Sequence, residues 1–151
     1  MPGQIDLDPT DKAIIDHLQD DGRIPYSRLG PLVGLSPAAA RQRVLSLTEQ
    51  GVMQVVAVTD PTTLGFSSQA WMGINVSGDL DTAAEAIAEI DEVDYVVITA
   101  GRFDVMIELV CETTEHLMKV MNRIRQIESV ASSEVFTYLR LVKQTYDWGT
   151  R

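Results

Sequence analysis

The chain has 151 residues, of which 45% are hydrophobic and 23% charged, and a formal net charge of -10 at pH 7. That composition fits an ordinary globular protein of one domain or two small ones and excludes disorder throughout; no apolar run approaches the roughly 18 residues of a membrane span, and "MPGQIDLDPT" lacks the basic flank and apolar core of a secretion signal, so a soluble cytoplasmic protein is expected. A single cysteine, Cys111, excludes an internal disulfide and reads as a small apolar strand residue, and no Cys or His spacing suits zinc, so neither a metal nor a cofactor is expected.

From Asp8 to Asp20, "DPTDKAIIDHLQD" carries Ala13, Ile14 and Leu18 at helical spacing. Asp8 offers the cap, Pro9 the first helical position and Asp11 a carboxylate at the positive end, while Gly22 marks the stop. His17 reads as an ordinary helix side chain. In "PYSRLGPLVG", Leu29, Leu32 and Val33 follow helical spacing and Gly34 supplies an end. Gly30 and Pro31 fall inside this short helix, so a kink or a late start is expected. "SPAAARQRVLSLTEQG" then opens with Ser36 as cap and Pro37 in the first turn, buries Ala40, Val44 and Leu47, and closes at Gly51. Two helices joined by a tight "GLS" turn describe a helix-turn-helix, and the β-branched run "VMQVVAVTD" reads as a strand that makes it winged. A plain three-helix bundle is the bland alternative.

After the turn-rich "DPTTLG" the pattern changes. "SQAWMGINVS" alternates as a strand, and "DLDTAAEAIAEID" is an amphipathic helix with Ala83, Ala84, Ile87 and Ile90 on one side. "DYVVITA" and "DVMIELVCE", separated by "GRF", read as a hairpin. "TTEHLMKVMNRIRQIE" is a second helix with Leu117, Val120, Met121, Ile124 and Ile127 in register, its methionines better suited to packing than to a cofactor, and "SEVFTYLRLVKQTYDW" is a long closing strand. The expected fold class is α+β: a winged helix-turn-helix over residues 1–60, a linker at 61–65, and a ferredoxin-like βαββαβ domain over 66–151. Such a sheet carries both helices on one face, and its strands alternate with apolar residues on both sides. Both faces need cover, so a homodimer is expected.

Charge is unevenly spread. Up to Asp60 there are five basic residues against eight acidic ones; from Pro61 onward there are seven against fourteen. Arg41 and Arg43 outnumber Glu49 within the third helix, so the local balance there favours a polyanion such as double-stranded DNA. Ser36 and the free N–H groups at the helix start can hold a phosphate, Arg41 or Arg43 can bond phosphate or a guanine edge, and Gln42 can pair with adenine. Arg43 has a second possible role, tying its helix to neighbours by hydrogen bonds. In the hairpin, Gly101 suits a positive φ or a close approach, and Gly101 and Asp104 can also serve the turn alone.

The stretch from "LDPTDKAIIDHLQDDGR" through "GLS", the helix Arg43 and the closing "GV", together with "TAGRFDVMIELVC", resembles the Lrp/AsnC, or feast/famine, family of bacterial and archaeal transcription regulators over nearly the whole chain. The resemblance implies a DNA-reading face at Ser27, Arg28, Ser36, Pro37, Ala38, Ala39, Arg41, Gln42 and Arg43. It also implies an effector, usually an amino acid, near Thr99, Ala100, Gly101, Arg102, Phe103 and Asp104, and dimers that assemble through their sheets into an octameric ring with the effector between dimers. Ser132, Ser133 and Glu134 are polar groups that can reach the same cleft. Effector binding would shift the dimer-to-dimer equilibrium and so change which DNA spacings are engaged together. Two rivals stand beside this reading: an architectural DNA-binding protein without effector, and a small dimeric barrel enzyme. The enzyme is disfavoured because the candidate pocket pairs no nucleophile with a base and His116 sits on a helix among solvated residues.

Overall fold

The computed structural model describes residues 6–150, which divide into two compact units, one running up to Val58 and resuming at Lys143, the other spanning Thr59–Val142. The first holds three helices, α1 (Pro9–Asp20), α2 (Tyr26–Leu32) and α3 (Pro37–Glu49). Asp8 caps α1 in a reciprocal capping box with Asp11, as the sequence suggests, and Pro9 takes the first turn. Ile14, Ile15, Leu29, Val44 and Leu47 form the core, with Leu18, Ile24, Val33 and Val52 packed around it.

Helix α2 does not start late. It begins at Tyr26 and carries Pro31 in its last turn, where only one intrahelical bond is forgone. Gly30 is needed at its place for packing: a Cβ there would lie 2.8 Å from the Leu35 carbonyl oxygen and 3.1 Å from the Pro37 nitrogen. The turn into α3 is thereby folded directly onto α2. Gly34 and Gly51 both adopt φ +71, the left-handed conformation that ends each helix.

The wing strand expected over residues 52–60 is not formed. Among the described residues no backbone hydrogen bond of 53–59 exists, no strand lies beside the segment, and Val55, Val56 and Val58 are exposed. β-branched composition favours an extended backbone, but a ladder needs a partner.

The second unit holds β1 (Ser68–Val76), α4 (Leu80–Ala88), β2 (Val93–Ile98), β3 (Val105–Cys111), α5 (Thr114–Arg125) and β4 (Val130–Thr137). The sheet is antiparallel in the order β2-β3-β1-β4, the split βαββαβ arrangement. Its core joins Met72, Ile74, Ile107 and Leu109 to Ala84 and Ile87 of α4 and to Leu117, Val120 and Ile124 of α5, so both helices cover one face. Cys111 is buried there, and burial pushes its thiol up.

The closing strand is shorter than expected and starts earlier, at Val130. It ends at Thr137, opposite Ala70 of β1, and one further bond, from the Tyr138 amide to the Gln69 carbonyl at 2.9 Å, follows before the chain leaves the sheet. Leu139 and Trp148 in the following stretch are exposed, and the Thr150 hydroxyl bonds to Asp16. The face of the sheet away from the helices carries Trp71 edge-on to Tyr95, and Glu108 accepting from the Tyr138 hydroxyl at 2.5 Å. No helix among the described residues is long and apolar enough to cross a membrane.

Candidate functional site

In α3, burial of Ala40, Val44 and Leu47 turns the opposite side of the helix outward. Ser36, Pro37, Ala38, Arg41 and Gln42 are exposed and Ala39 is half-buried, and on α2 Ser27 and Arg28 are exposed too. The first turn is lined by small side chains, so its backbone can come close to a bulky partner, and Arg41 and Gln42 follow as hydrogen-bond donors. Ser36 acts as the cap: its hydroxyl accepts from the Ala39 amide at 3.2 Å. Pro37 has no N–H, which leaves the Ala38 amide as the donor at the tip of the helix.

Arg43, next in sequence, is turned elsewhere. Its Nη1 donates to Asp8 Oδ2 at 2.5 Å and to Asp11 Oδ1 at 2.8 Å. The hydrogen bond from Arg43, followed by that from the Asp11 amide, holds the Asp8 carboxyl below the usual carboxylate range. Of the two roles the sequence allows for Arg43, the geometry displays the tie between helices.

In the second unit the loop 99–104 between β2 and β3 is closed on itself. Thr99 Oγ1 donates to the Phe103 carbonyl at 2.5 Å, and the Thr99 amide to the Asp104 carbonyl at 2.9 Å. Asp104 staples the loop to the end of β1: its amide donates to the Ile74 carbonyl at 3.0 Å, and its Oδ2 accepts from the Val76 amide at 2.9 Å. Ala100 and Gly101 stand exposed at the tip. The positive φ anticipated for Gly101 is absent, and a Cβ there would meet open space; a six-residue loop reverses the chain without a left-handed residue.

Phe103 folds back over the sheet, edge-on to Phe136 with centroids 6.2 Å apart. Arg102 reaches over the same ring, 5.3 Å from its centroid, and its Nη2 pairs with Glu134 Oε2 at 2.8 Å. Ser132 lies on this face and accepts from Asn75 Nδ2 at 3.0 Å. Ser133 points to the other face, toward Arg125 Nε at 3.1 Å. Thr99, Arg102, Phe103, Asp104 and Glu134 are thus linked by direct contacts, and Ser133 is separated from them. Gly73, whose backbone the Phe103 ring lies against, and Phe136 escaped sequence reasoning, although an isolated glycine inside a strand is the signal of a close approach. Among the described residues no group of His, Cys, Asp and Glu fit to hold a metal is present.

Residues 7–48 match the AsnC-type helix-turn-helix domain and residues 69–148 the Lrp/AsnC ligand binding domain. The chain is 29% identical over 141 residues to the HTH-type transcriptional regulator FL11 of Pyrococcus furiosus, covering 92% of this chain and 93% of that one. Among solved structures, it is similar to the leucine response regulatory protein LrpA of Mycobacterium tuberculosis, with a TM-score of 0.83 and 26% identity over 91% of this chain and 96% of that one. It also shares its fold, at a TM-score of 0.80 and 23% identity over 93% and 95% of the two chains, with a Neisseria meningitidis transcriptional regulator in complex with L-Met. A helix-turn-helix followed by a four-stranded α+β ligand-binding domain, matched along both halves, makes the chain a DNA-binding transcriptional regulator of the Lrp/AsnC family.

Proposed function

We propose that this regulator reads specific DNA sites and that its assembly and DNA binding are modulated by a small effector, an amino acid. The observation that carries the reading is the outward side of α3. It offers a helix tip with a free amide at Ala38, a lining of small residues, and Arg41 and Gln42 one turn on, with Ser27 and Arg28 exposed on α2. In this reading Ser36, Pro37 and Ala39 shape the close approach, Arg41 takes phosphate or guanine, and Gln42 takes adenine. Few basic residues face the nucleic acid, so each subunit should have a shallow salt dependence.

The uncovered sheet face, with Trp71, Tyr95 and Phe136, supports a homodimer, and dimers joined as an octamer would add avidity. A two-fold dimer presents two α3 helices to successive major-groove faces roughly 34 Å apart, so its preferred site is nearly palindromic. The effector lies at the loop 99–104. The exposed amides of Ala100 and Gly101 and the Arg102 guanidinium suit a carboxylate, while the unshared oxygen of Asp104, with Glu134 and Ser132 on the neighbouring strand, suits an ammonium group. The amino-acid complex of the Neisseria meningitidis protein supports that ligand class. The protein acts in the cytoplasm, where its DNA is.

The test is fluorescence anisotropy on DNA from upstream of the protein's own gene, against shuffled DNA at matched salt, with and without a panel of amino acids. Preferential binding altered by one amino acid is expected. Equal binding to both DNAs would point to an architectural protein, and turnover of a small molecule to an enzyme.

A further inference from the structure

Arg43 follows Arg41 and Gln42 in the reading helix, yet its guanidinium is committed to α1. We propose that Arg43 is a positioning residue that does not touch DNA and instead sets the rotation of α3, through Asp8 and Asp11, so that Arg41 and Gln42 meet the correct base edges. The inference rests on the DNA-binding reading above.

Three observations support it. The two carboxylates are held in place independently of Arg43. Asp8 Oδ1 accepts from the Asp11 amide at 2.8 Å, and Asp11 Oδ2 accepts from the Asp8 amide at 3.4 Å. Each then offers its remaining oxygen, Asp8 Oδ2 and Asp11 Oδ1, to the same Nη1. The first turn of α1 is therefore a rigid fork that receives one side chain of α3.

The remaining contact between the two helices is apolar, through Ile14 and Ile15 on α1 and Val44 and Leu47 on α3. Burial of this kind decides which side of α3 faces inward, but being non-directional it sets the rotation of the helix only coarsely. A charge-assisted pair with fixed acceptors is directional. Gln42 lines the same cleft as Asp11 and Arg43, so a change in the pairing is felt at once by a base-reading side chain.

Electrostatics opposes the alternative. The Asp11 side chain retains only 17% of its exposure and that of Arg43 37%. Were Arg43 to swing to a phosphate, two carboxylates would be left beside a polyanion, one of them largely desolvated. Arg28 and Arg41, both exposed and in no ion pair among the described residues, can take phosphate without that penalty.

The two roles predict opposite signs for Asp11→Asn. If Arg43 contacts DNA, removing a carboxylate frees it and strengthens binding to the chosen site. If Arg43 positions α3, preference for the chosen site over shuffled DNA drops about fivefold or more. Arg43→Met should lower the same preference with the slope of log affinity against log salt unchanged, whereas loss of a phosphate contact lowers both affinities alike and reduces the slope by about one per subunit. Asp8→Asn keeps a good helix cap and serves as the variant least prone to unfold. Circular dichroism and thermal unfolding of Arg43→Met, Asp11→Asn and the double variant complete the test, because the coupling between the two residues is read without DNA. Coupling together with lost preference upholds the proposal. An unchanged preference, a reduced salt slope or absent coupling overturns it. Should the unaltered protein bind no DNA, the DNA-binding reading falls and the positioning proposal with it, while the coupling still reports whether the tie exists.

Discussion

The ring of Phe103 lies against the backbone of Gly73, so close that a Cβ on residue 73 would stand 2.4 Å from the ring. The side chain next to last in the loop 99–104 is thus seated on the centre of β1, with Phe136 and Arg102 enclosing it. Gly73→Ala must displace the ring, and with it the carbonyl that accepts from Thr99. A loss of about 1–3 kcal/mol in urea unfolding is expected from such overpacking. The substitution should abolish any amino-acid response in calorimetry while DNA affinity without effector persists. In a Phe103→Ala background the same change should cost far less, because the clash is gone.

Gly30→Ala is the corresponding test in the first unit. The atoms its Cβ would meet belong to the backbone of Leu35, Ser36 and Pro37 and have no rotamer to yield. The turn must open, shifting the start of α3. Thermal unfolding should show a destabilisation of about 1–3 kcal/mol, and anisotropy should show loss of DNA binding.

Acid should weaken both units through different carboxylates. Glu92, at the entrance to β2, accepts from His116 Nε2 at 3.0 Å and from Arg123. Burial pushes its carboxyl up, but the hydrogen bonds from His116, its own backbone and Arg123 prevail and hold it below the usual range. Asp8 is held down by Arg43. A carboxyl whose folded pKa lies below its unfolded one stabilises the fold above the unfolded value, and that contribution fades as pH falls through the folded value. Melting temperature should therefore fall as pH drops from the unfolded carboxyl values, near 4, downward. Asp94 opposes the trend, since burial and then Glu108 push it up. Glu92→Gln should flatten the pH profile of the sheet unit and Asp8→Asn that of the helical one; profiles as steep as that of the unaltered protein would refute these assignments.

The regular elements were legible because each carries its own period and punctuation. Asp8, Ser36, Gly34 and Gly51 act where their chemistry predicts, and α4 and α5 bury the faces their spacing marks. Features that depend on a second segment were not. Extended stretches at 52–60 and beyond Thr137 look like strands by composition, but a ladder is a property of two segments. Arg43 stands between contact and tie in the sequence until Asp8 and Asp11, more than thirty positions earlier, are folded against it. Gly30 looked like a flaw in a helix when taken alone, and its reason is the turn lying on it. Ser133 was grouped with its neighbours although strand alternation assigns it to the opposite face.

The stretch 53–59 makes no backbone hydrogen bond among the described residues, and its valines are open to solvent. Its amides have no internal guard against exchange, so in deuterated solvent they should label first, ahead of the core strands β1 and β3. Those seven residues are consequently a built-in reporter. Any second molecule that lends them a ladder, whether another copy of the chain or something else, writes itself there as slowed labelling, and a change of assembly on adding an amino acid becomes visible at single-peptide resolution without disturbing the sites themselves.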